Sequence, residues 1–91
     1  NFGWDDVGSW LSLERINNTN QDGNIISGNV VTINTKNSII QGSNKLIATI
    51  GLEDIIIVDT DDALLICNKD NTQEVKEVIA NLKASNKTEY L

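Results

Sequence analysis

Histidine is absent from the whole 91-residue chain. With it go the usual proton shuttle, the commonest transition-metal ligand and the usual partner of a catalytic serine or cysteine. Any chemistry here must run through carboxylates. Proline and methionine are missing too, and the chain opens on Asn1. A start without methionine leads us to expect an excised domain or a processed product, with part of the function outside the sequence. The lone cysteine, Cys67, cannot form an internal disulfide. Its place in Ala63-Leu64-Leu65-Ile66-Cys67 reads as a small apolar core residue rather than a reactive thiol. Basic residues number 7 against 13 acidic ones, a net charge of -6 that repels phosphate backbones and sets nucleic acid aside as a partner. Apolar runs such as Ile55 to Val58 fall far short of the roughly 20 residues that span a bilayer, and no charged segment precedes an apolar one in the manner of a signal peptide. The expectation is a soluble, cytoplasmic chain with no membrane partner.

At this length a core can form but stability is thin, so one compact unit is the ceiling. Asp6 is placed to cap a short N-terminal helix, with Trp10, Leu13 and Ile16 recurring on one face. The run from Asn17 to Gly23 is made almost wholly of turn-formers and reads as a linker loop. β-rich runs follow at Val30 to Asn34, Ser38 to Gln41, Leu46 to Ile50, Ile55 to Asp59 and Leu64 to Cys67, punctuated by Lys36-Asn37, Gly42-Ser43-Asn44, Gly51 and Asp59 to Asp62. That rhythm suits a small all-β array, and it is shared by a meander, a barrel and a β-helix. Val75, Val78, Ile79 and Leu82 then fall at i, i+3, i+4 and i+7 and predict a C-terminal amphipathic helix. Asn71 and Glu74 resemble a capping box at its start, and Lys83 suits the negative end of its dipole.

The densest chemical cluster is Asn1 to Trp10, which sets Asp5 and Asp6 beside Trp4 and Trp10 at a helix start. One carboxylate oxygen from Asp6 suits Mg2+, an ion held by one or two carboxylates together with substrate phosphates. The backbone N–H groups of the following turn suit an anion. The plainer alternative is that Asp6 only caps the helix while the two tryptophans pack. Gly42-Ser43-Asn44-Lys45 imitates a phosphate loop but lacks its glycine spacing and following helix, and Asn18-x-Asn20-x-Asp22-Gly23 imitates a calcium loop but has Asn29 where the bidentate Glu belongs. Both read as turns. Asp59, Asp61 and Asp62 read as a solvated turn between two apolar strands.

Trp4-Asp5-Asp6-Val7-Gly8-Ser9-Trp10 resembles the Trp-x-Asp-(Val/Ile)-Gly-Ser-Trp segment of mannose-1-phosphate guanylyltransferases. Asp22-Gly23-Asn24, Gly28, Lys36-Asn37-Ser38, Thr49 to Asp54 and Val58 to Leu65 continue the likeness in order, and the ending Lys87 to Leu91 is like that of the short, single-activity bacterial members. The resemblance implies a mainly β fold with flanking helices: a small β-helix-like array of short strands, an N-terminal short helix and a C-terminal amphipathic helix. It implies that residues 1–16 finish a catalytic domain, 17–23 link, and 24–91 form a small C-terminal domain. It implies a parent nucleotidyltransferase that makes GDP-mannose and pyrophosphate from GTP and mannose 1-phosphate with Mg2+. Asp6 would be the catalytic metal ligand, and Trp4, Gly8 and Ser9 would shape the sugar-phosphate side of the cleft. The nucleotide-binding loop of that family is missing here, so the chain alone is expected to be inactive and to serve structure and assembly. Its strands carry more apolar surface than so small an array can bury, which predicts contact with its own N-terminal catalytic domain or a second subunit as a homodimer. The competing reading is a stand-alone β interaction or oligomerisation module without catalysis, which an upstream gene segment lacking a nucleotide-binding domain would favour.

Overall fold

In the computed structural model, which describes Trp4, residues 21–87 and Glu89, six short strands are followed by one helical unit: β1 (Ile25–Ser27), β2 (Val30–Ile33), β3 (Ile39–Gln41), β4 (Ile47–Ile50), β5 (Ile55–Asp59), β6 (Leu64–Asn68), a 3-10 segment (Lys69–Glu74) and helix α1 (Val75–Ala84). The expected N-terminal helix around Asp6, Trp10, Leu13 and Ile16 lies outside the described residues. Strand β1 adds to the β-rich runs expected from sequence, since the Asn24-Ile25-Ile26-Ser27 run is too short to stand out from the turn-formers on both sides.

The chain winds as a parallel coil. Strands β1, β3 and β5 lie side by side and parallel in one sheet, and β2 and β4 pair in parallel in a second. Val30 pairs with Ile47, Lys36 with Glu53 and Ile39 with Ile56, each seventeen residues on, so one turn of the coil takes seventeen residues from β2 onward. The first turn is three shorter, since Ile25 pairs with Ile39, and the difference falls between β3 and β4, around residues 42–46. The coil then ends: β6 folds back antiparallel on β5 through a tight turn in which Thr60 N and Oγ1 both donate to the Ala63 carbonyl. This is the β-helix member of the three architectures that the strand spacing left open.

What lets these residues turn corners is a stack of left-handed backbone positions. Asn37 and Asp54 are equivalent by one turn and have φ of 54° and 59°, while Asn34 and Gly51 are likewise equivalent, at 51° and 69°. Asn, Asp and Gly are the residues that enter this region at least cost. Gly28 is held to glycine twice over, by a φ of +93° and by the Gly42 backbone of the next turn, 3.0 Å from where a Cβ would sit.

The strands alternate. Ile25, Ile39, Ile56 and Cys67 form one row across the four-stranded sheet, and with Val58 and Leu65 they face Val75 and Ile79 of α1 and Trp4 in the main core cluster. The opposite row, Ile26, Ile40, Ile57 and Ile66, faces the second sheet; Ile40 and Ile57 are buried at its centre, while Ile26 and Ile66 are exposed at its ends. Helix α1 covers the expected stripe through Val75, Ile79 and Leu82, but Val78 remains largely exposed at its margin. Its end is a Schellman motif in which Asn86, at φ 59°, replaces the usual glycine, with Lys87 N donating to Leu82 O and Asn86 N to Lys83 O. The anticipated Asn71/Glu74 box takes another form. Asn71 Nδ2 donates to the Glu74 carboxylate, and the side chain that caps backbone is Asn68, accepting from Asp70 N at 2.8 Å.

Candidate functional site

Of the four residues singled out for chemistry, Asp6, Gly8 and Ser9 lie outside the described residues. Trp4 is described, and it is a core residue of the sheet–helix layer at 7% exposure. Its indole Nε1 finds no acceptor among the described residues. A buried N–H without a partner is costly in a closed protein, which makes this atom the odd feature of an otherwise apolar cluster.

Inside the coil a polar ladder connects one turn to the next. Asn24, fully buried, donates from Nδ2 to Thr35 O at 2.7 Å and accepts at Oδ1 from Ser38 N at 2.9 Å. Ser38, one turn further on at the equivalent position, accepts from Ile55 N at 3.2 Å and donates to Lys36 O at 3.0 Å. Thr35 and Thr49 share a 2.7 Å hydroxyl–hydroxyl bond. Asn24 and Ser38 thus satisfy backbone groups of the next turn, where strands are too short to do it. Asn24, Thr35, Ser38 and Thr49 are all buried and their bonds run within the coil, so the ladder is architecture rather than a ligand site.

Asp59 is the residue whose role the sequence concealed. It ends β5 instead of joining the solvated turn, which holds only the exposed Asp61 and Asp62. Its side chain is fully shielded and accepts from Lys45 Nζ at 2.8 Å and Ser43 Oγ at 3.2 Å, while Lys45 stays 62% exposed. The Lys45 ammonium, aided by the Ser43 hydroxyl, holds the Asp59 carboxyl below its ordinary value, against the upward push of burial. This pins the long 42–46 loop to the end of the coil. It also settles the phosphate-loop imitation: the segment leads into a strand, and its lysine is committed to a carboxylate. Asp22, of the calcium-loop imitation, lends its carbonyl to Asn37 N, a turn-to-turn backbone bond.

Cys67 is half-buried, packed against the core cluster rather than inside it, and burial, then the charge of Glu74, pushes its thiol up. Among the described residues no group of three or more Asp, Glu or Cys side chains comes together to hold a metal ion, and no helix is long and apolar enough to cross a membrane. What they do present is apolar surface. Val31, Ile33, Ala48 and Ile50 form two cross-strand pairs on the outer face of the second sheet, all exposed, and Leu46, Leu64 and Ile66 surround an open groove at the coil's end.

Residues 28–82 match the family model described as MannoseP isomerase/GMP-like beta-helix domain. The Escherichia coli O157:H7 protein named mannose-1-phosphate guanylyltransferase 2 is 42% identical over 90 residues, 99% of this chain and 19% of its own length. The xanthan biosynthesis protein XanB of Xanthomonas campestris pv. campestris is 44% identical over 87 residues, 96% of this chain and 18% of its own. A crystal structure from Thermus thermophilus, named as mannose-1-phosphate geranyltransferase, superposes with a TM-score of 0.72 at 29% identity, covering 86% of this chain and 24% of that one. The chain thus spans about a fifth of the length of the curated relatives it matches.

Proposed function

Since the chain belongs to the MannoseP isomerase/GMP-like beta-helix domain family, we propose that it is the C-terminal part of a nucleotidyltransferase that joins mannose 1-phosphate to GTP, giving GDP-mannose and pyrophosphate. The observation that carries the reading is the reach of the relatedness. An alignment over 90 of the 91 residues takes in the Trp4-to-Trp10 cluster as well as the coil, so the segment that resembles the active-site motif travels with the domain.

In this reading residues 1–16 complete the catalytic domain, 17–23 connect, and 24–91 form the β-helix domain. Asp6 offers one carboxylate oxygen, a hard donor of the kind Mg2+ takes. In this reading Asp6 is this chain's contribution to the ion's ligands, and the remainder come from the rest of the polypeptide. When bound, the metal would supply charge neutralisation for the crowded phosphates. Gly8 and Ser9 line the sugar-phosphate side through backbone N–H groups and a small side chain. Trp4 bears on that cleft from the core, its buried indole tying the motif to the sheet–helix layer and its unpartnered N–H left for an acceptor across the junction. The coil gives the active-site segment a rigid base, and its exposed apolar surface receives the catalytic domain and a second subunit.

The test is to join this chain to the family's nucleotide-binding domain and measure GDP-mannose formation with Asp6 intact and with Asp6→Asn. Turnover should fall by a factor of roughly 100 or more, about 3 kcal/mol, on loss of the ligand. Near-normal turnover in the variant would remove Asp6 from the chemistry.

A further inference from the structure

The layer between the four-stranded sheet and α1 draws on three parts of the chain. Ile39, Ile56, Val58 and Leu65 come from the sheet, Val75 and Ile79 from the helix, and Trp4 from ahead of the coil altogether. Val75 and Ile79 are four residues apart, so they share one face of α1 and present a single ridge to this layer. An indole carries one of the largest apolar surfaces that a core can receive. Trp4 is 7% exposed, which leaves no open ring face for a sugar, so its bearing on chemistry is indirect. No hydrogen bond holds its Nε1 among the described residues. Packing against sheet and helix is what fixes the ring.

Asp6 follows Trp4 by two residues, and two residues of chain span at most about 7 Å. Wherever the layer holds the indole, the backbone of Asp6 must therefore lie close by. We propose that α1 sets the position of the active-site segment, with Trp4 as a positioning residue and Val75 and Ile79 acting on turnover through it. The inference rests on the proposed function, and it gives the helix a part in the reaction beyond closing the coil. Truncating Ile79 leaves a cavity into which the neighbouring side chains relax only partly, so the indole gains room to shift. A misplacement of about 1 Å far from the reacting atoms can cost on the order of 100-fold in rate.

The experiment has a spectroscopic arm and a kinetic arm. In the 91-residue chain carrying Trp10→Phe, Trp4 is the sole tryptophan. Its emission should lie at short wavelength and resist quenching by acrylamide, and Ile79→Ala should shift it to the red and raise the quenching while far-UV circular dichroism keeps strand and helix. In the protein joined to the family's nucleotide-binding domain, Ile79→Ala should lower kcat by roughly tenfold or more. The KM for GTP should stay within about twofold, because this chain carries no nucleotide loop and a positioning lesion acts on the chemical step. Ile79→Val should move both readouts the same way by less, and it carries the test should Ile79→Ala fail to fold. Asn34→Ala, a corner outside the cluster with a stability cost similar to that of Ile79→Val, should leave kcat and emission unchanged.

A solvent-exposed emission from Trp4 in the parent would overturn the proposal. So would parent-like kcat in an Ile79 variant whose emission has shifted, or a loss of kcat in Asn34→Ala as large as that in Ile79→Val, which would reduce the effect to stability. Normal turnover of Asp6→Asn removes that carboxylate from the chemistry and leaves both Ile79 readouts in force. A joined parent that forms no GDP-mannose overturns the proposed function, and the positioning role in turnover falls with it, whereas the spectroscopic arm still decides whether α1 holds the indole.

Discussion

Asn24 shows how much a single polar side chain can hold in a coil whose strands are three to five residues long. Its amide spans two turns, and an apolar replacement of similar size would leave the buried Thr35 carbonyl and Ser38 N–H without their partners. Each such orphan costs about 1–3 kcal/mol. Asn24→Leu is therefore expected to lower the urea midpoint by the equivalent of roughly 3 kcal/mol, a large part of the stability of so small a domain. An unchanged midpoint would mean that the ladder is not satisfying these groups. Asp59 behaves differently, because its contribution titrates. A carboxyl whose folded pKa is depressed adds stability above its unfolded pKa and loses it as pH falls through the folded value. For Asp59 that loss lies below its ordinary value of 3.8. Asp59→Asn should thus be less stable than the parent near neutral pH, and the gap should narrow as the pH is taken below that ordinary value. Parallel stability curves across that whole acid range would dissociate the Lys45–Asp59 bond from acid stability.

At the scale of elements, the corners matter more than the strands. Asn34 and Gly51 occupy equivalent left-handed positions one turn apart, as do Asn37 and Asp54. A left-handed conformation costs an ordinary L-residue roughly 1–2 kcal/mol. Exposed Asn34 has little else to lose, so Asn34→Ala should destabilise by about 1 kcal/mol while Asn34→Gly stays near neutral, as thermal or chemical unfolding would report. Equal destabilisation by both would point to a side-chain role for Asn34 instead. These corners explain why the coil was hard to read. Turn residues are visible at Lys36-Asn37 and Gly51, but three chemically different residues serve one conformation, and the first turn is three residues shorter than the next, so the left-handed corners are not marked by one letter at one fixed spacing. Helix α1 was legible because an apolar stripe needs only local periodicity.

At the scale of the molecule, the described residues present a folded coil, and the only segment that resembles a catalytic motif lies ahead of it. The described carboxylates are dispersed, exposed or, like Asp59, already neutralised by a lysine. Titration calorimetry of the isolated chain with MgCl2 should accordingly detect no micromolar binding, since one carboxylate without substrate phosphates is a poor Mg2+ site. A micromolar constant would reveal a set of ligands that the proposed function does not use.

The order of residues determined by itself that the chain is β-rich, that a helix closes it, that histidine chemistry is excluded, and that the Trp4-to-Trp10 segment resembles a catalytic motif. Each depends on composition or on spacing within a few residues, which a sequence displays directly. The tertiary structure decided that the strands coil in parallel, that Asn24 and Ser38 bind one turn to the next, that Asp59 is a buried anchor and not a turn residue, and that β4 and Ile66 are left uncovered. Those facts depend on contacts between residues fourteen or seventeen apart. Such pairs come into register only when a whole turn of chain has closed, and no local pattern records where that closure falls.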